Sequence, residues 1–179
     1  MDLTTPKFVS KEIITLCEDI EKRKSPFFVD VRPAQKALIN ECYENVRKQV
    51  KEEKGKIVYG WQVWEWPNVM IEAEFHAIWN QSNGGFLDIT PKSEEIDQIL
   101  FLPSDNIYRN QQINSIRRAL KDDKLIHDFI QAAEDEFEFM NRGSRKGKHK
   151  LSLSQQEAKE YKEILNRKAE KLMYLKLCN

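Results

Sequence analysis

Cys42, His76 and Asp88 stand in the chain order of a nucleophile, a base and an orienting acid. A thiol attacks as its thiolate, so near neutral pH it needs a neighbouring base to take its proton. An imidazole can be that base if a partner on its second nitrogen fixes its tautomer and orientation. The three residues offer one candidate for each role. The chemistry within their reach is attack on a carboxamide or acyl carbon.

Bringing them together takes a helix and two strands. From Pro33 to about Glu53, Ala37, Leu38, Cys42, Val46 and Val50 recur at helical spacing. Asn40 could instead cap a new helix just before Cys42, so the segment reads as one helix or as two. The difference matters, because the start of a helix favours a thiolate. Val69 to Trp79 alternates as a strand does: Val69, Ile71, Ala73, Phe75, Ala77 and Trp79 share one face, and Met70, Glu72, Glu74, His76 and Ile78 share the other. Asn80–Gly84 reads as a loop, and a second strand runs from Gly85 to Thr90. A hairpin closed by that loop pairs Trp79 with Gly85 and sets His76 opposite Asp88. Directly opposed residues have Cβ atoms roughly 4.5–5.5 Å apart, within reach of an imidazole–carboxylate hydrogen bond. A slip of one residue would end the pairing.

The remaining pattern is mixed. Helices are expected over Ser10 to about Lys24 with Ser10 as cap, Asn110 to Leu120, Asp122 to about Asn141, and Ser154 to Leu177. Ile57–Trp66 and Ile99–Leu102 read as strands, and Phe27–Val31 as a short strand or an extended packing segment. The fold expected is α+β, with an antiparallel sheet over about residues 57–102 packed against helices. Residues 1–141 would form one domain, 142–153 a mobile basic loop, and 154–179 a charged C-terminal helix.

The chain has 179 residues, with 29 Lys and Arg against 29 Asp and Glu, so net charge gives no argument for a nucleic-acid partner. Basic residues cluster locally, and Arg145, Lys146, Lys148 and Lys150 could contact phosphates. No signal peptide or membrane-spanning run is read from the sequence. Three widely spaced cysteines (17, 42 and 178) argue against a disulfide framework and fit a reducing, cytoplasmic setting. No Cys-x-x-Cys pair, phosphate loop or dinucleotide fingerprint occurs, and no cofactor is indicated.

The segments Cys42-Tyr-Glu-Asn-Val46, Tyr59-Gly-Trp61, Phe75-His-Ala-Ile-Trp79 and Leu87-Asp-Ile-Thr-Pro91 together resemble the transglutaminase-like branch of the papain-like cysteine fold. The resemblance covers roughly residues 38–91. It implies a papain- or transglutaminase-like core in which the Cys opens a helix packed against the sheet; the flanking helices, with the C-terminal helical extension, are not explained by it. It implies Cys42 as nucleophile, His76 as base and Asp88 as orienter. The implied activity is thiol-dependent peptide or amide hydrolysis, deamidation or acyl transfer from glutamine, on a protein or peptide substrate. By the same analogy Trp61 could line the substrate cleft or donate its indole N–H to an oxyanion.

Each residue also has a plainer role open to it. Cys42 fits the apolar stripe of its helix as a small core residue. His76 could bond Glu72 or Glu74, and Asp88 could cap a turn. Glu72, Glu74 and His76 could form a metal site, but alternate strand positions spread them over about 13 Å. The second functional reading is therefore a catalytically inactive binding protein on the same scaffold. It would engage a protein or nucleic acid through the basic loop and the charged helices.

Overall fold

The computed structural model describes residues 3–109, 111–146 and 152–178. In chain order the elements are α1 (Lys11–Ile20), β1 (Phe27–Val31), α2 (Cys42–Glu53), β2 (Lys56–Trp66), β3 (Met70–Asn80), β4 (Phe86–Asp88), β5 (Gln98–Pro103), β6 (Ile116–Ala119), α3 (Lys124–Asn141), a short 3-10 helix (Gly143–Arg145) and α4 (Gln155–Cys178). They fall into two compact units. One comprises Leu3–Glu65 with Glu72–Tyr108, and the other Trp66–Ile71 with Arg109–Asn179.

The first unit is built on a closed ring of strands. The strand order is β2-β5-β1-β4-β3, and β2 pairs with β3 as well, so the five strands close on themselves. β1 lies antiparallel to β5 (Val29 opposite Ile99) and parallel to β4 (Asp30 opposite Leu87). The expected antiparallel sheet over residues 57–102, packed against helices as in papain-like proteins, is therefore corrected to a five-stranded barrel with helices. The ring recruits β1 from outside that range, includes a parallel pair, and leaves β2 bonded on both sides. Closure brings β2 hard against β5: Gly60 faces Pro103, and a Cβ there would clash with the Leu102 carbonyl and the Phe101 ring. Val29, Ile78, Ile99 and Phe101 form one buried cluster of this unit. Cys42, Val46, Ala77, Trp79 and Ile89 form another.

Local chemistry sets the helix boundaries. Ser10 caps α1, accepting the Ile13 N–H at 3.3 Å. Residues 33–41 form turns and irregular chain rather than helix, so the stretch 33–53 holds one helix, and it begins at Cys42. Asn40 is not its cap. It sits at φ +64°, a left-handed conformation that asparagine tolerates, and Glu41 occupies the cap position without a side-chain bond.

In the second unit, Trp66 packs edge-on against Phe129 of α3, and Phe139 of α3 stacks on Tyr161 of α4. Asp123 caps α3 through the Leu125 N–H at 2.7 Å. Ser154 and Glu157 bond each other's backbone N–H groups at the start of α4, a capping box. Of the helix expected over Asn110–Leu120, Asn110 lies outside the described residues, 111–115 are irregular, and Ile116–Ala119 is the strand β6, just beyond whose end the Leu120 N–H donates to the Val69 carbonyl at 2.8 Å. No helix among the described residues is long and apolar enough to cross a membrane.

Candidate active site

Cys42, His76 and Asp88 all belong to the first unit. Cys42 is the first residue of α2, where unpaired backbone N–H groups favour negative charge. The chain leading to it is held against β4 and its continuation. The Arg32 N–H donates to the Asp88 carbonyl at 2.8 Å, and the Ala34 N–H to the Ile89 carbonyl at 3.0 Å. The cluster around Cys42 includes Ala77 and Ile89, the residues that follow His76 and Asp88.

His76 Nε2–H donates to Asp88 Oδ2 at 2.9 Å, with His76 6% and Asp88 0% exposed. The hairpin reaches this bond by a different register from the one the loop length suggests. The Gln81 N–H donates to the Gly85 carbonyl, and Gly84 and Gly85 take φ +88° and +100°, so the tight loop is Ser82–Gly84. Trp79 then pairs with Leu87, two residues beyond Gly85. The shift is even, so His76 and Asp88 remain on the same face and meet diagonally.

Charge accounts for the protonation of the pair. Burial alone would push the imidazole down. The Asp88 carboxylate, with a further contribution from Cys42, outweighs it and lifts His76 to about 9, while Lys92 opposes the rise. Burial would raise Asp88, but His76 and Lys92 hold it at about 2. An ionised Asp88 only accepts, so Nε2 carries a proton in both states of the imidazole, and Nδ1 is the nitrogen whose proton comes and goes. Cys42 and His76 are close enough for their charges to interact, and no hydrogen bond joins them.

Two polar residues, Lys92 and the buried Asn45, complete the site and were not singled out by sequence. Lys92 Nζ lies 2.6 Å from Asp88 Oδ2 and donates to Gln62 Oε1 at 2.9 Å. Asn45 accepts the Leu38 N–H at 3.0 Å, donates to the Leu38 carbonyl at 2.8 Å, and donates to Thr90 Oγ1 at 3.2 Å. Thr90 in turn donates its N–H to Asp88 Oδ1 at 3.0 Å. A polar network thus ties the approach to Cys42 to the carboxylate that holds His76. The available signals were slight: an Asp and a Lys four residues apart, and an Asn on the apolar stripe of the Cys42 helix.

The other candidates are placed as follows. Trp61 is buried against the Phe75 ring at 5.0 Å, and its indole N–H has no partner among the described residues. Glu74 is exposed and accepts the Trp64 indole N–H at 3.0 Å, while Glu72 is buried. Among the described residues no three His, Cys, Asp or Glu are grouped to hold a metal ion. Arg145 is not a free cation. It is buried, pairs with Glu157, donates Nε–H to the Phe139 carbonyl and lies over the Phe139 ring. Lys146 is exposed, and Lys148 and Lys150 lie outside the described residues.

A hydrogen-bonded imidazole and carboxylate beside a thiol at a helix start can accept a proton and generate a nucleophile. Comparison of the chain with protein-family models, curated proteins and solved structures finds no match.

Proposed function

We propose that the protein carries out thiol-dependent acyl chemistry, as an amide hydrolase or acyl transferase acting on a protein or peptide. The observation that carries this reading is the buried His76–Asp88 hydrogen bond, which leaves Nδ1 of the imidazole to exchange a proton in a site that Cys42 also faces. In the proposed reaction the Cys42 thiol gives its proton to His76 Nδ1 and its sulfur attacks a carboxamide carbon. Asp88 keeps the imidazole oriented and balances its charge. The protonated imidazole then donates to the leaving amine, and an acyl-thioester remains for water or a second amine. The partnerless indole N–H of Trp61 supports a role for that residue as a donor to the developing oxyanion. The site-level resemblance to transglutaminase-like enzymes supports the same chemistry.

One observation favours a second reading. Cys42 is 6% exposed within an apolar cluster, as a structural cysteine in a non-catalytic binding protein would be. Iodoacetamide labelling mapped residue by residue separates the two. The catalytic reading expects Cys42 to react faster than the exposed Cys178, and His76→Gln to slow it by roughly tenfold or more. Cys42 that labels only on unfolding, or equally fast in the His76 variant, would sink it.

A further inference from the structure

Asp88 has one partner more than an orienting carboxylate requires. The same oxygen, Oδ2, accepts from His76 Nε2 at 2.9 Å and meets Lys92 Nζ at 2.6 Å. Lysine ammonium groups ordinarily reach for water. The Lys92 side chain is only 10% exposed. Its ammonium is held on a second side by Gln62 Oε1 at 2.9 Å. Gln62 is itself 1% exposed, and its Nε2 has no partner among the described residues. Among the described residues, the one hydrogen bond of that carboxamide is therefore the one that pins Lys92.

The charge count shows what this arrangement does. With a neutral imidazole, Asp88 and Lys92 already balance. Protonating His76 gives the trio a net positive charge inside the protein. Without Lys92, the same protonation would only complete a neutral ion pair with Asp88. Lys92 therefore disfavours the imidazolium, and it keeps the carboxylate ionised in either state. The titratable groups facing His76 are Asp88 and Lys92 from the chain after β3, and Cys42 from α2, whose thiol is neutral in this count. On its own strand, Glu74 is exposed and engaged with Trp64.

We propose that Lys92 is a positioning residue of this site: by sharing Asp88 Oδ2 with His76, it fixes the carboxylate and keeps the imidazole able both to take and to release a proton. The proposal rests on the reading of Cys42, His76 and Asp88 as a thiol site. It adds a member from outside the nucleophile–base–acid line. Lys92 touches no substrate. It acts through Asp88, and Gln62 acts through Lys92.

The test is the proton titration of His76 in the full chain, followed by NMR and assigned with His76→Gln. Lys92→Met and Lys92→Gln are expected to move the His76 midpoint upward by about one pH unit or more, as removal of a nearby like charge requires. Lys92→Gln retains a donor to Asp88 and serves if Lys92→Met does not fold. Lys92→Arg keeps the charge and should leave the midpoint near that of the wild type. An unmoved or lowered midpoint in the neutral variants would overturn the proposal. So would an arginine variant that shifts as far as they do. The pH profile of Cys42 alkylation is read in parallel. A shifted midpoint with a thiol that never reacts removes the thiol reading and leaves the Lys92 coupling. A reactive thiol with an unshifted midpoint removes only the role of Lys92.

Discussion

The Asn45 carboxamide closes on both backbone groups of Leu38, accepting its N–H at 3.0 Å and donating to its carbonyl at 2.8 Å. Four residues beyond Leu38 the chain enters α2 at Cys42. This side chain does for the approach loop what a backbone ladder does for a strand. It also reaches Thr90 Oγ1, one step from Asp88. Asn45→Ala would strand two part-buried backbone groups of Leu38 as well as the Thr90 hydroxyl. The expected cost is about 2–3 kcal/mol in urea unfolding. Cys42 alkylation in the folded variant should lose its dependence on His76, because the loop that sets the thiol is no longer tied to the imidazole. A variant as stable as the wild type would show that the Leu38 bonds are replaced by water.

Stability should depend on pH at both ends through one interaction, the His76–Asp88 pair. Burial opposes ionisation of Asp88, yet its partners hold it at about 2, below its ordinary 3.8. Its contribution is present above 3.8 and is lost as the pH falls toward 2. His76, lifted from 6.5 to about 9 against the effect of burial, contributes fully below 6.5, and that contribution is lost as the pH rises through 9. Urea midpoints should therefore decline between pH 6.5 and 9. In His76→Gln that alkaline decline should be absent. An identical decline in the variant would assign it to other groups.

Gly60→Ala should open the barrel rather than perturb a loop. Its Cβ would press on the Leu102 carbonyl across the β2–β5 pair and on the Phe101 ring. Backbone does not yield as a flexible side chain does, so we expect a loss of at least about 2 kcal/mol. Amide exchange at Trp61–Val63 and Leu100–Leu102 should accelerate together. Protection unchanged in both strands would mean that the ring adapts without parting.

Arg145→Ala should cost about 2–3 kcal/mol in the unit that contains α3 and α4, measured by thermal or urea unfolding. It removes the Nε–H bond to the Phe139 carbonyl at 2.8 Å, the stack 4.3 Å above the Phe139 ring and the pairing with Glu157. Lys146→Ala, at an exposed position, should change stability by less than about 0.5 kcal/mol. Equal effects of the two substitutions would contradict the packing role of Arg145.

Alternation and turn chemistry made His76 and Asp88 legible as partners, and the pairing tolerated a register error because the error was even. An odd slip would have turned Asp88 away, and nothing in the local pattern excluded one. The start of α2 was harder to read. Ala37 and Leu38 continue the apolar spacing of Cys42 and Val46, so periodicity alone runs the helix too far back. What stops it is tertiary: Asn45 bonds Leu38, and Asn40 turns left-handed. Ring closure was illegible for a related reason. It depends on β1 and on the close approach at Gly60, and neither a short apolar run nor a single glycine announces its partner strand. Residues 111–120 illustrate the same limit, because β6 exists by virtue of a neighbour far away in sequence.

The closed ring also dictates the order in which the protein can become competent. β1 is made early, yet both of its neighbours, β4 and β5, come later in the chain. A chain emerging from the ribosome carries Cys42 for dozens of residues before His76, Asp88 and Lys92 exist. The last strand of the ring ends at Pro103. Until that strand is made, β1 has no β5 to lie against and the ring cannot close.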